Sequence, residues 1–131
     1  MKKEFLKPKE LFDSRFFTHA VAVEDAARLV YVAGQVSYDR DGIVVGKGDM
    51  RAQALQTLRN IEAALRNAGA TLSDVVRTRM YVTDISRWEE IGRAHGEVFG
   101  AIRPATSMVQ VAKLIDPDML VEIEADAYVG T

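Results

Sequence analysis

The polar and apolar positions of this chain alternate most regularly near its end. Val121, Ile123, Ala125 and Ala127 take turns with Glu122, Glu124 and Asp126. A period of two puts the apolar side chains on one face of a strand and the three carboxylates on the other. The segment 103–129 reads as two strands joined by the proline-containing turn LIDPDM. Residues 28–37 (RLVYVAGQVS) are rich in β-branched and aromatic residues and predict a strand. Asp41-Gly42 then predicts a hairpin turn into IVVG. Over 50–68, Ala54, Leu55, Leu58, Ile61, Leu65 and Ala68 recur at helical spacing, with Asp49 as a capping residue and Gly69 as a C′ glycine. Residues 75–83 (VVRTRMYVT) predict another strand. Ser86 and Glu89 have the spacing of a capping box, opening a second helix with apolar Trp88, Ile91, Val98 and Phe99.

The predicted order is therefore strands, helix, strand, helix and two strands, an α+β arrangement. Two amphipathic helices cover one face of one sheet, and a chain of 131 residues supplies nothing for the other. Burial against further copies of the chain is the physical expectation. The length fits one domain spanning 1–131.

Composition narrows the function classes. A net charge of −2 argues against a nucleic-acid surface built on counterion release. The absence of cysteine removes disulfides, thiol nucleophiles and thiolate metal ligands. No run of 18 apolar residues is present, and MKKEFLKPKELF lacks the apolar core of a signal peptide, so a cytoplasmic protein with no membrane partner is expected.

Chemistry-bearing residues are sparse. His19 and His95 are the only histidines. His95 follows Ile91 by four on the apolar stripe of the second helix and reads as a core or interface histidine; no metal site is expected. Ser37, Thr106 and Ser107 lack a nucleophile-elbow context, and Gly46-Lys47-Gly48-Asp49 is too short for a phosphate loop. No cofactor is implied. The three carboxylates of the last strand read either as a solvated face or as a pocket wall.

Several blocks carry a resemblance. RPATSMVQVAKL and VEIEA resemble the closing signature of the RidA (YjgF, L-PSP) family. FFTHAVAV, LVYVAGQVSYDRDG and QALQTLRNIEAALRNAGATLSDVVRTRMYVTDI resemble its earlier blocks, in order over about residues 15–128. The resemblance implies a chorismate-mutase-like subunit with a mixed sheet and two helices on one face. It also implies a homotrimer with small-molecule pockets between subunits. In the family's deaminases an arginine binds the substrate carboxylate and a glutamate positions the water that attacks an imine carbon. Glu122 falls on that glutamate and Thr106 on that arginine. Phe17 falls on a tyrosine, Ala33 on a serine, Gly92 on an asparagine and His95 on a tyrosine, while Gly34 is kept.

A threonine hydroxyl gives one neutral hydrogen bond and cannot neutralise a carboxylate. Arg103 stands three residues earlier, an odd offset that points to the opposite strand face. An arginine placed at 106 is expected to project beside Glu122. The implied function is a deaminase-like hydrolase of imines or enamines, with Glu122 as its catalytic residue. The implied ligand is less acidic than a 2-imino acid and suits Phe17, Ala33 and Met108. A non-catalytic ligand-binding trimer is the alternative. An endoribonuclease or translation inhibitor suits the acidic balance least.

Overall fold

The computed structural model describes residues 1–13 and 17–130; Phe16, the first residue of the FFTHAVAV block, lies outside them. Two strands, β1 (Lys2–Leu6) and β2 (Ala20–Glu24), form an antiparallel pair. The main sheet contains β3 (Arg28–Gln35), β4 (Val75–Val82), β5 (Ala105–Gln110) and β6 (Val121–Val129) in the order β3-β6-β4-β5. The β3–β6 and β6–β4 pairs are antiparallel and β4–β5 is parallel, so the sheet is mixed.

Helices α1 (Met50–Asn67) and α2 (Trp88–Phe99) pack on one face. The core between them and the sheet contains Leu58, Ile61, Leu65, Ile91 and Phe99, with Val121, Ile123, Ala125 and Ala127 from β6. All four of these β6 residues are buried, as their alternation requires. Among the described residues no helix is long and apolar enough to cross a membrane.

The carboxyl group of Asp49 accepts the Ala52 N–H at 3.0 Å and starts α1. Gly69, at φ +78, ends it in the left-handed conformation, with the Ala70 N–H returning to Leu65 O at 2.8 Å. Buried Gln53 then ties α1 to two loops. Its amide donates to Gly46 O and Asp118 O and accepts the Leu120 N–H. Asn60 donates to Val36 O and Tyr38 O, both at 2.9 Å, and fixes the chain where it leaves β3.

Four local expectations change. β5 and β6 are not hairpin partners: β4 lies between them, and residues 111–120 form a connection across it. The Asp41-Gly42 turn forms, with the Asp39 carboxyl accepting the Asp41 and Ile43 N–H groups, but IVVG contributes only an isolated bridge, Tyr38 to Val44. Ser86 and Glu89 do not cap α2. Asp84 accepts from the Ser86 N–H and hydroxyl, stabilises a 3₁₀ turn over Ile85–Arg87, and α2 starts at Trp88. Finally, β1 is an element that the sequence pattern did not indicate. Three of its five residues are charged and the strand is mostly exposed, so no buried face imprints a pattern on it.

Among the described residues no helix covers the opposite face of the sheet. Leu29 and Tyr31 of β3 and Val109 of β5 stand there with relative exposures of 48%, 70% and 49%. Between them run Arg77, Arg79 and Tyr81 of β4 and the three carboxylates of β6.

Candidate active site

The three β6 carboxylates separate into different environments. Asp126 accepts from Arg79 at 3.2 Å. Glu124 accepts the Tyr81 hydroxyl in a short hydrogen bond, which together with burial raises the Tyr81 pKa above its ordinary value. Glu122 remains, near the start of β6. It meets Gly34 because β3 bulges there: Val32 pairs with Ala125 but Gln35 pairs with Ile123, leaving Ala33 and Gly34 opposite one residue. A Cβ on Gly34 would overlap the Glu122 carboxylate. Gly34, Asn60, Met119 and Glu122 line an open groove of about 540 Å³. Ala33 is exposed on the bulge beside it.

A second cavity, of about 320 Å³, opens between α2 and the β4–β5 edge. Phe17, Gly92, Thr106 and Met108 line it, together with Met80, Trp88 and His95. Glu89 and Arg93 stand on its wall and pair with each other at 3.7 Å. Gly92 leaves the helix side open: a Cβ there would meet only the Trp88 ring, at 4.0 Å.

Behind the cavity wall runs a chain of hydrogen bonds. The Thr106 hydroxyl donates to Pro104 O at 3.1 Å and lies 2.8 Å from the Thr78 hydroxyl. Thr78 Oγ1 is in turn 2.9 Å from His95 Nε2. Thr78 is fully buried and His95 is 4% exposed. Burial lowers the His95 pKa to about 4, so the ring is neutral at neutral pH.

The seven residues singled out in the sequence thus fall into two groups. Phe17, Gly92, Thr106 and Met108 share the helix-side cavity, while Gly34 and Glu122 line the groove that Ala33 adjoins. Thr106 pairs in register with inward-facing Thr78, whereas Glu122 pairs with Tyr81 on the outer face. Within one chain the two side chains therefore occupy opposite faces of the sheet, so position 106 does not project beside the Glu122 of its own chain.

Arg103 does not substitute for the missing cation in that cavity. Its backbone takes φ +57, its Nε donates to Gly100 O, and it lines a separate opening with Lys7 and Thr18. Sequence reasoning missed Met80, Trp88 and Thr78. Met80 and Thr78 share the parity of buried Val82 in VVRTRMYV, the one signal that places them on the helix side. Among the described residues no cluster of histidine and carboxylate side chains is arranged to hold a metal ion.

Comparison with known proteins agrees with this architecture. The family model described as Endoribonuclease L-PSP matches residues 13–129. A RutC family protein of Pyrococcus abyssi is 37% identical over 99 residues, covering 76% of this chain and 77% of its own. The Yersinia pestis Rid-family protein YyfB, described as of unknown function, superposes with a TM-score of 0.90 at 36% identity, covering 98% of this chain and all of that one. Rv2704 of Mycobacterium tuberculosis, of the YjgF/YER057c/UK114 family, is 48% identical with a TM-score of 0.71 and the same coverage. Matched along nearly its whole length in both sequence and fold, the chain belongs to the RidA/YjgF/L-PSP family.

Proposed function

We propose that this protein hydrolyses the C=N bond of a small imine, or of the imine tautomer of an enamine, at a site completed by a second copy of the chain in a homotrimer. The observation that carries this reading is the separation of the residues into two half-sites, an apolar cavity on the helix side and a groove holding Glu122. The uncovered sheet face, with Leu29, Tyr31 and Val109 exposed, supports burial against another copy. In this reading the groove of one chain completes the cavity of its neighbour.

Glu122 acts there as the general base. Its carboxylate takes a proton from water as the water oxygen bonds to the imine carbon. The nitrogen is then protonated, the C–N bond breaks, and a carbonyl compound and ammonia leave. Imine plus water balances carbonyl plus ammonia, and no oxidant, metal or cofactor enters.

Standard 2-imino acids are poor substrates in this reading. Thr106 gives no positive charge to a carboxylate, and losing a desolvated charge partner costs on the order of 2–5 kcal/mol. The test is a panel assay with semicarbazide trapping of unreacted imine. It compares 2-iminopropanoate, generated from serine by a dehydratase, with uncharged imines. Faster loss of an uncharged imine, abolished by Glu122→Gln, is the expected result. Ligand binding without turnover of any imine favours a binding protein instead.

A further inference from the structure

The hydrogen-bond chain behind the helix-side cavity has three contacts and three protons to fill them. Thr106 donates to Pro104 O, so its oxygen is free to accept from Thr78. Thr78 has a single proton, and using it on Thr106 leaves its own oxygen to accept from His95 Nε2–H. This direction satisfies every contact. The reverse direction, with Thr78 donating to His95, makes Thr106 give up Pro104 O or leaves two hydroxyl oxygens 2.8 Å apart without a proton between them.

A neutral ring with its proton on Nε2 carries a bare lone pair on Nδ1. His95 lines the cavity, and among the described residues Nδ1 has no hydrogen-bond partner. The surrounding wall is apolar: Phe17, Met80, Trp88 and Met108. Among the described residues the one cation on it is Arg93, which faces Glu89 and has a side chain 77% exposed.

We propose that this cavity binds an uncharged, ring-bearing molecule that donates an N–H to His95 Nδ1, and that Thr78 is the positioning residue that fixes the accepting tautomer. The proposal rests on reading the cavity as the ligand-binding half-site and adds the ligand class. An aryl imine, an enamine or a primary amide has the required donor. A carboxylate has acceptors only, and would meet a lone pair and an apolar wall where it needs a cation.

The experiment uses the full chain at neutral pH and three related probes: benzamide, methyl benzoate and benzoate. Affinities come from ligand-observed NMR titration. Benzamide is expected to bind at least about tenfold more tightly than either of the others, because a site built around one hydrogen bond rejects analogues that cannot make it. Benzoate binding as well as benzamide overturns the uncharged class. Methyl benzoate binding equally overturns the role of Nδ1, and no binding of benzamide overturns the proposal altogether.

Thr78→Val should bring the benzamide-to-methyl-benzoate ratio close to one, while Thr78→Ser keeps it; an unchanged ratio in Thr78→Val rules out positioning. Should the valine variant fail to fold, long-range ¹H–¹⁵N correlation of the unmodified protein decides. A proton on Nε2 is expected, and a proton on Nδ1 contradicts the assignment. Benzamide selectivity without any imine turnover sinks the hydrolase reading alone. Turnover of an uncharged imine with preference for benzoate over benzamide sinks the ligand class alone.

Discussion

A Cβ added to Gly34 would lie 2.9 Å from the Cδ of Glu122 and overlap its carboxylate. The bulge in β3 and the absence of a side chain at 34 together create the space in which that carboxylate rests. Gly34 does not have a left-handed backbone, so alanine is conformationally acceptable there. The flexible end of Glu122 must move instead. Gly34→Ala is therefore expected to lower imine turnover by at least about tenfold, through misplacement of the base, with little change in melting temperature. Unchanged turnover would mean that the observed position of Glu122 is not the working one.

Thr106→Arg is a test of the opposite half-site. The guanidinium enters the helix-side cavity beside Phe17 and Met108 and replaces a hydroxyl bonded to Thr78 and Pro104. Loss of that hydroxyl is expected to destabilise the fold by about 1 kcal/mol. A new bidentate partner for a carboxylate should bring measurable, though partial, turnover of 2-iminopropanoate and tighter binding of benzoate. A folded variant with neither gain would show that position 106 does not face the ligand.

His95 makes stability depend on acid. Its folded pKa is held near 4 by burial, against about 6.5 in the unfolded chain. Between these values the unfolded state takes up a proton that the folded state refuses. Stability from this source is complete above about pH 6.5 and is lost as the pH falls toward 4, by at most about 3 kcal/mol. Denaturant unfolding at fixed protein concentration should show this slope in the parent and a shallower one in His95→Gln. Comparing the two at each pH cancels the other charged groups on the cavity, Glu89 and Arg93. Identical slopes would mean that His95 is solvated in the folded protein.

How much of this was visible in the sequence depends on the range of the interaction involved. Helix α1 was legible from Asp49 to Gly69 because its cap, its apolar stripe and its terminal glycine are all local. The face assignment of Val121, Ile123, Ala125 and Ala127 followed from alternation alone. Strand neighbours were not legible: nothing local to residues 103–129 says that β4 inserts between β5 and β6. The start of α2 was misplaced because Asp84 competes with Ser86 for the capping role and, by accepting from it, wins.

The site divides in the same way. Family resemblance nominated Phe17, Gly92 and Thr106, and the fold gathers them with Met108 in one cavity. That Glu122 stands on the other face depends on the register of two strands against β4, information that no single strand contains. The Thr106–Thr78–His95 chain joins three elements distant in sequence and was invisible for that reason.

The central claim is that one working site takes its cavity from one chain and its Glu122 from another. Two variants, each inactive alone, test it directly: Glu122→Gln, which lacks the base, and Gly92→Trp, which fills the cavity. They are unfolded together in equal amounts, refolded, and assayed for hydrolysis of the uncharged N–H imine of acetophenone, with light scattering to measure the assembled mass. Across randomly assembled trimers about a quarter of the interfaces combine an intact cavity with an intact Glu122, one interface in each mixed trimer. Recovery of roughly that fraction of parental activity, in particles of three times 14.5 kDa, is the predicted result. No recovery in correctly assembled mixed trimers, while the parent remains active, would place the whole site within a single chain and contradict the account.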